Sequence, residues 1–305
     1  MVDLLRDNSG KLSKFLIAFL LVMLFEVKSS NGRVDKEYCD KSLTVLKNTV
    51  SEGETFFIKV HAAENLIFHV HTEGLDTTFA RLQTVSPDNY IGSARVLARL
   101  YKHQPEKYQH YINQLLYEFK QSTNRRASLT ALESLGKLEY KNLLPELEAY
   151  ADTGTMGFKG MARWVLSNNN SKATENRLSA LLLSGDILDY RYAAYALRFK
   201  DKINKLSLTR LRDCLKRLAA RDIARVYVAS SLFVHSRDRQ KQKAKAILLT
   251  YLNGDVGQRY EVAEALGRAG NQSDIPTLGR LFVDENADVR VAAANALLRV
   301  MHCKR

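Results

Sequence analysis

The residues with the clearest potential for chemistry lie between positions 61 and 71. His61 and Glu64 are three residues apart, which places them on one face of a helix, and His69 and His71 follow closely. Imidazole and carboxylate groups on neighbouring turns are ligands of the kind that zinc prefers. The chain has no HExxH motif, however, and polar residues are ordinary on the exposed face of a helix. We therefore predict neither a metal nor a cofactor, and interpret His61 and Glu64 as a surface pair.

Other signatures of catalysis are missing from the sequence. It contains no Gly-x-Ser-x-Gly motif and no glycine-rich phosphate loop. Among Cys39, Cys214 and Cys303, just Cys303 has a neighbouring histidine, His302, and it lies near the C-terminus. The cysteines are widely spaced and form no CxxC pair, so that no zinc site is indicated and at most one disulfide can form. We predict no catalytic residue, and an enzyme is the less favoured interpretation.

The elements that must position these residues repeat along the chain. A helix rich in small residues and ending in leucine recurs, as in YAAYAL (192–197), and a second amphipathic helix lies between successive copies. One such hairpin cannot bury both of its faces, so we predict an all-α fold of about eight stacked hairpins, an α-α superhelix. The marker leucines, spaced by 31 to 38 residues, are Leu66, Leu97, Leu135, Leu166, Leu197, Leu232, Leu266 and Leu297.

Five copies carry a basic residue seven positions before the leucine. A cation at the start of a helix opposes the helix dipole, so it needs another partner. We predict that acidic residues such as Asp284 and Asp288 pair with these cations and form a ladder that ties the repeats together. The five basic residues are Lys59, Lys159, Arg225, Arg259 and Arg290.

Residues 258–300 carry a more specific pattern. An Ala-rich helix is followed by glycine, an aspartate-containing turn and Asp-Val-Arg before the next helix; the matching positions are Gly267, Gly270, Asp274, Asp284, Asp288 and Arg290. The segment resembles HEAT repeats of the phycobilisome-lyase type, and the resemblance weakens upstream to about Phe57. It implies an α-α superhelix used chiefly for binding. A lyase activity does not follow, because most members of this repeat class have none.

In such a solenoid the second helix of each hairpin lines the concave side. The positions five before, two before and two after the leucine share one exposed stripe, which is aromatic in the centre and charged on the flanks. Aromatic residues with a polar atom are enriched where partners bind, although rings also fill gaps beside Ala-rich columns. We predict a concave binding surface formed by Trp164, Tyr192, Tyr195, Tyr227, Arg95, Arg99, Glu64 and His61, with Lys137, Arg268 and Arg299 on its basic flanks.

The N-terminus has the pattern of an export signal. Basic residues precede an uncharged run of 11 residues, Phe15 to Phe25, which is too short to span a bilayer. We predict a signal sequence over residues 1–29, a lead-in over 30–56 and the repeat solenoid over 57–305. Removal of the signal leaves 42 basic and 30 acidic side chains and no transmembrane span. If the signal is not cleaved, it would anchor the protein.

These observations favour an exported, non-catalytic scaffold that grips a protein or an extended acidic or sugar polymer along its concave face. The alternative is an enzyme, or an accessory subunit of one, that acts on extracellular glycans through the end bearing His61 and Glu64. A deep pocket with paired carboxylates or histidine would favour the enzyme. A HEAT-type DNA glycosylase is a lesser alternative, because an exported protein rarely meets nucleic acid, and no nucleic acid is expected as a partner.

Overall fold

The structure, a computed structural model, describes residues 33–52, 54–155 and 157–303. Within these ranges it is all-helical and contains no strand, which confirms the predicted fold class. None of the helices described is both long enough and apolar enough to cross a membrane. The helices are α1 (Arg33–Ser51), α2 (Phe56–Phe68), α3 (Leu75–Val85), α4 (Tyr90–Leu100), α5 (Pro105–Gln121), α6 (Arg125–Lys137), α7 (Pro145–Thr153), α8 (Phe158–Ser167), α9 (Lys172–Ser179), α10 (Ile187–Phe199), α11 (Lys205–Arg217), α12 (Ala224–His235), α13 (Asp238–Leu249), α14 (Val256–Ala269), α15 (Ile275–Phe282) and α16 (Ala287–Val300).

Local sequence fixes where many of these helices begin. The side chains of Asn124, Asp186 and Asp255 accept hydrogen bonds from backbone N–H groups in the first turns of α6, α10 and α14. Those N–H groups have no partner inside the helix, so the caps satisfy them. Pro105 and Pro145 open α5 and α7, at positions where the missing N–H costs nothing.

The sixteen described helices alternate as eight hairpins, in the seventh of which α13 packs against α12 rather than against α14, and each even-numbered helix packs against the next even-numbered one. The even-numbered helices are thus an inner layer and the odd-numbered helices an outer layer. All eight marker leucines lie on the inner layer and are at most 3% exposed, as predicted. The residue two before the leucine is not always the more exposed of the two. Trp164 and Ser230 are no more exposed than Leu166 and Leu232.

The inner layer closes on itself, which is why those stripe positions are buried. Helix α16 packs against α2. It also packs against the outer helix α1, just as the inner helix α4 packs against α5, the outer helix of the next hairpin. Val291 and Leu298 of α16 share one apolar cluster with Leu46 of α1 and Val60 of α2. The repeats therefore form a ring, and the expected open concave face is its interior. We call the junction of α16 with α1 and α2 the seam.

The seam is also covalently closed. Cys39 of α1 forms a disulfide with Cys303, which follows α16, across a sequence separation of 264 residues, and Cys214 is free and buried. Most of the predicted lead-in, residues 30–56, is therefore the first helix of the first hairpin rather than a segment outside the array. Helix α1 has the apolar side of a repeat helix because that side packs against α16. The predicted signal, residues 1–29, lies outside the described residues.

Two ion pairs join neighbouring repeats as the ladder hypothesis predicts. The Arg259 guanidinium contacts both carboxylate oxygens of Asp284 in the following repeat, at 2.8 and 3.0 Å. Arg290 lies 3.4 Å from Glu54 across the seam. Asp288 differs from the prediction, since it pairs with His61 and not with an arginine.

The basic residues at the starts of inner helices have a second role. The Lys59 ammonium donates to the carbonyl oxygens of Val50 and Glu52, at 3.0 and 2.5 Å. Arg225 donates in the same way to the carbonyl of Leu218. These carbonyls follow or end the outer helix of the same hairpin, where the helix dipole is negative. The cations thus interact unfavourably with the dipole of their own helix, but favourably with the negative C-terminal end of the neighbouring outer helix.

Candidate functional site

The interior of the ring is crossed by direct side-chain contacts. Eight inner helices about 8–10 Å apart place their axes about 10–13 Å from the centre, within reach of long side chains. The Tyr195 hydroxyl donates to Glu133 at 2.7 Å, joining α10 to α6. Arg198 of α10 reaches Glu264 of α14 at 3.1 Å. The centre is a shared interior and not an open groove.

One side of this interior is filled by rings. Trp164 is 1% exposed and lies edge-on to Tyr195 and tilted on Phe199, with centroid distances of 5.6 and 5.1 Å. It also packs on Gly136, where an added Cβ would come within 2.7 Å of the indole. Trp164 therefore offers no open face to a ligand, and its predicted place in a recognition strip is wrong. It fills the space that a glycine leaves on the neighbouring helix.

The three tyrosines of the predicted strip are also engaged within the chain. Tyr227 is buried and its hydroxyl accepts a hydrogen bond from Arg191, at 3.2 Å. Tyr192 is half-buried against Gly157 and Gly160. Tyr195 is half-buried, with its hydroxyl on Glu133. We call Trp164, Tyr192, Tyr195 and Tyr227 the aromatic cluster, and conclude that it is part of the core.

The opposite side of the interior contains a cavity of about 90 Å³, which we call the central cavity. Such a volume holds several water molecules or one small polyatomic anion. Six of the predicted site residues, counting the three basic flanks, are among its walls: His61, Glu64, Arg99, Lys137, Arg268 and Arg299. The complete lining is His61, Glu64, Asn65, Phe68, Arg99, Lys137, Phe199, Tyr260, Glu264, Arg268, Asn295 and Arg299.

Glu64 is the most strongly paired carboxylate of the cavity. Arg95, which is 2% exposed, lies 3.1 Å from one of its oxygens, and Arg99 lies 3.2 Å from the other. Burial by itself raises the pKa of Glu64, but the two guanidinium groups outweigh it and lower that pKa to about 2. Glu64 is therefore an anion at neutral pH. Arg95 belongs to the layer behind the cavity rather than to its wall.

The second carboxylate, Glu264, has a similar environment. Burial raises its pKa, and the nearby Arg198, Arg268 and Arg299 lower it by a larger amount. Behind it, Arg198 also contacts Glu261 at 2.9 Å. Burial, followed by repulsion from Arg198, lowers the pKa of the Arg268 guanidinium to about 10, so Arg268 is still a cation at neutral pH.

Two of the cations lie over phenylalanine rings in the last turns of inner helices. The Arg268 guanidinium carbon is 4.5 Å from the centroid of Phe199, and that of Arg299 is 4.1 Å from the centroid of Phe68. These distances are typical of cation–π contacts, which hold the guanidinium planes in place. The Nε atoms of Arg99 and Arg268 are buried without a hydrogen-bond partner in the described part of the chain. Both guanidinium groups thus retain donor capacity.

The walls of the cavity carry an excess of positive charge. Four cations, Arg99, Lys137, Arg268 and Arg299, face two carboxylates, Glu64 and Glu264, so the difference is two positive charges. In the layer behind, the cations Arg95 and Arg198 pair with carboxylates, and Asp288 contacts His61 of the wall. Concentrated cations that are shielded from water are costly unless an anion accompanies them.

The histidines singled out from the sequence do not come together as a metal site. The His61 Nδ1 atom lies 2.7 Å from Asp288, and its ring is next to Tyr260, with a centroid distance of 5.7 Å. His69 is buried, and its Nε2 atom forms a hydrogen bond of 3.0 Å with the side-chain oxygen of Asn295. Within residues 33–303, as far as they are described, no group of three or more His, Cys, Asp or Glu side chains is arranged to hold a metal ion.

Tyr260 and Asn65 are the cavity residues that lie outside the predicted stripe. Each is adjacent in sequence or one turn away from a stripe position, but its inward direction depends on how α2 and α14 are rotated in the ring. Burial and neighbouring carboxylates raise the pKa of Tyr260 well above its usual range, so its hydroxyl is neutral and can donate. No motif in the sequence indicates this role.

Comparison with known proteins does not assign the chain. No protein-family model matches it, and no curated protein sequence matches it. The likeness of residues 258–300 to phycobilisome-lyase-type repeats is therefore still a resemblance.

Proposed function

We propose that the protein is an exported binding protein that holds an acidic ligand by placing its anionic group in the central cavity. The observation that carries this proposal is the excess of two positive charges around a cavity of about 90 Å³. An anion there would contact guanidinium groups that are already oriented by Phe68 and Phe199. Preorganised donors lower the cost of ordering the site when the ligand binds.

The closed ring narrows the form that the ligand takes. A polymer gripped along an open concave face would have to pass through contacts such as Tyr195 to Glu133 and Arg198 to Glu264. The cavity suits instead a small anion, or the acidic end group of a longer sugar chain or peptide. The same contacts occupy the groove that a HEAT-type DNA glycosylase needs for a duplex, so we do not extend the proposal to nucleic acid.

Export is part of the proposal and has two supports. The sequence of residues 1–29 has the pattern of a signal, and the disulfide between Cys39 and Cys303 is of a kind that persists in oxidising compartments. Fractionation of cells that express the full chain tests this point. Recovery of an N-terminally shortened protein outside the cytosol is the expected result, and a full-length cytosolic protein would contradict it.

Ligand binding is tested by calorimetric titration of the purified protein with sulfate, phosphate and glucuronate at low ionic strength. We expect saturable binding of at least one of them, weakened about tenfold, or about 1.4 kcal/mol, by Arg299→Gln. The matched control is Arg126→Gln, because Arg126 is exposed at the start of α6, away from the cavity. Absence of binding, or an equal loss in both variants, would contradict the proposal.

The enzyme alternative has one specific observation in its favour. The cavity brings together the two carboxylates and the histidine that this alternative requires, namely Glu64, Glu264 and His61. Hydrolysis by a carboxylate pair needs one member protonated, whereas the pKa values of both glutamates are lowered. Incubation with acidic polysaccharides and assay for new reducing ends separates the two: release that Glu264→Gln abolishes would favour the enzyme.

A further inference from the structure

We propose that His61 carries the proton that accompanies anion binding, so that an oxyanion enters the central cavity together with one proton. This inference rests on the proposed function, because it names a residue and a ligand property of the same site. It concerns the ring nitrogen of His61 that Asp288 leaves available.

The geometry assigns different roles to the two nitrogens of this imidazole. Nδ1 lies 2.7 Å from Asp288 Oδ1, across the seam, and the side chains of His61 and Asp288 are 20% and 25% exposed. The residue lines the cavity, and Nε2 is the ring nitrogen that Asp288 does not contact. A carboxylate on Nδ1 orients the ring and stabilises the imidazolium, and an imidazolium donates from both nitrogens.

The groups that face His61 come from three helices. Glu64 lies one turn on along α2, Asp288 and Asn295 are on α16, and Tyr260 and Glu264 are on α14. Three of these groups are carboxylates, and the cations Arg99, Arg268 and Arg299 share the cavity wall with His61. Tyr260 and Asn295 are uncharged and contribute hydrogen-bonding capacity.

Most of the lining does not change its charge between about pH 5 and 8. The pKa of Glu64 is lowered to about 2, that of Glu264 is lowered, and that of Tyr260 is raised well above its usual range. The pKa of Arg268 is about 10. Histidine is the side chain that titrates in this window. His61 is the histidine on the cavity wall, and His69 lies behind it on Asn295.

The charge balance indicates the class of ligand. The walls carry two excess positive charges, and protonation of His61 beside Asp288 gives one further donor without leaving an unpaired cation. A doubly charged tetrahedral oxyanion, such as a sulfate ion or a phosphate monoester, offers oxygens in enough directions to meet the guanidinium groups and the imidazolium together. A single carboxylate carries one negative charge and its two oxygens lie in one plane, so it balances less of the positive charge of the walls and meets fewer of their donors.

Sulfate is the probe of choice because it keeps its charge throughout this pH window. We expect its affinity for the disulfide-intact protein to fall on the order of tenfold between pH 5.5 and 7.5 at constant ionic strength. Calorimetry in two buffers with different ionisation enthalpies should show uptake of up to one proton per sulfate. In His61→Asn the affinity should be lower at pH 5.5, nearly independent of pH, and without proton uptake. His103→Asn is the matched control, because His103 is exposed.

The outcomes separate this inference from the proposed function. Sulfate binding that is independent of pH and takes up no proton would overturn the role of His61 and leave the anion site standing. Proton uptake that persists in His61→Asn would also overturn it and point to His69. Absence of sulfate binding at every pH would overturn both. If His61→Asn does not fold, absence of proton uptake by the unmodified protein still overturns the role of His61.

Discussion

The aromatic cluster and the central cavity are built from the same positions of the repeat, yet one is closed and the other is open. Helices α8, α10 and α12 place Trp164, Tyr195 and Tyr227 toward the centre, and α2, α4, α14 and α16 place charged residues there. Rings pack edge to face and exclude water. Ionised groups must keep their donors and acceptors paired, which holds them apart. The position of a residue in the repeat determines whether it faces the interior of the ring. The chemical type of the side chains there determines whether they leave a cavity.

The two regions differ in their dependence on the seam, and the disulfide tests this most strongly. The cavity takes His61 and Arg299 from opposite sides of the seam, whereas the aromatic cluster lies within continuous repeats. Cys39→Ser should lower the free energy of unfolding by about 5 kcal/mol, because the disulfide closes a loop of 264 residues. Urea unfolding measures this loss. Sulfate affinity should also fall; an unchanged affinity would show that the seam stays closed without the bond.

The next largest effect is expected within the aromatic cluster. Trp164→Ala removes a fully buried indole from its contacts with Gly136, Tyr195 and Phe199, and should cost about 3–5 kcal/mol. Thermal and urea unfolding should show the loss, while sulfate affinity changes by at most about twofold. A large loss of affinity with little loss of stability would mean that the indole serves the ligand and that the comparison of the two regions is wrong.

Protonation of Glu64 in acid should cost the cavity side about 3 kcal/mol of stability. The pKa of Glu64 is about 2 in the folded protein and about 4.3 in unfolded chains, so its contribution is complete above pH 5 and is lost as the pH falls toward 2. Unfolding free energies across this range should decline less steeply in Glu64→Gln than in the unmodified protein. Glu106→Gln, at an exposed position, is the control. Parallel pH profiles would show that Glu64 is not held by Arg95 and Arg99.

The smallest effect concerns the hydrogen bond that joins the two regions. Tyr195→Phe removes the hydroxyl that donates to Glu133 at 2.7 Å but keeps the ring in the aromatic cluster. A hydrogen bond to a charged group contributes about 1.5–3 kcal/mol, and Lys137 still pairs with Glu133 at 2.9 Å, so we expect a loss at the lower end of that range. Chemical unfolding measures it. A loss as large as that of Trp164→Ala would mean that the hydroxyl, not the ring, sustains this side of the core.

The sequence predicted which helix positions face the interior of the ring, but not that the interior is closed. The stripe defined from the marker leucines contains ten of the twelve residues of the cavity wall, because helical periodicity is a local property of the sequence. The same stripe predicted exposure for Trp164, which is buried. Exposure depends on what stands across the ring, and Phe199 and Tyr195 reach Trp164 from a neighbouring helix.

The sequence by itself determined the all-helical class, the spacing of the repeats, the burial of the marker leucines and the limit of one disulfide. The tertiary structure decided that the array closes, that Cys39 pairs with Cys303 and that the centre is filled on one side. Closure requires each of eight hairpins to turn by about 45°, and small differences in packing at each step add up around the ring. Residue spacing sets the contacts within and between adjacent helices, but that accumulated rotation exists only in the assembled fold.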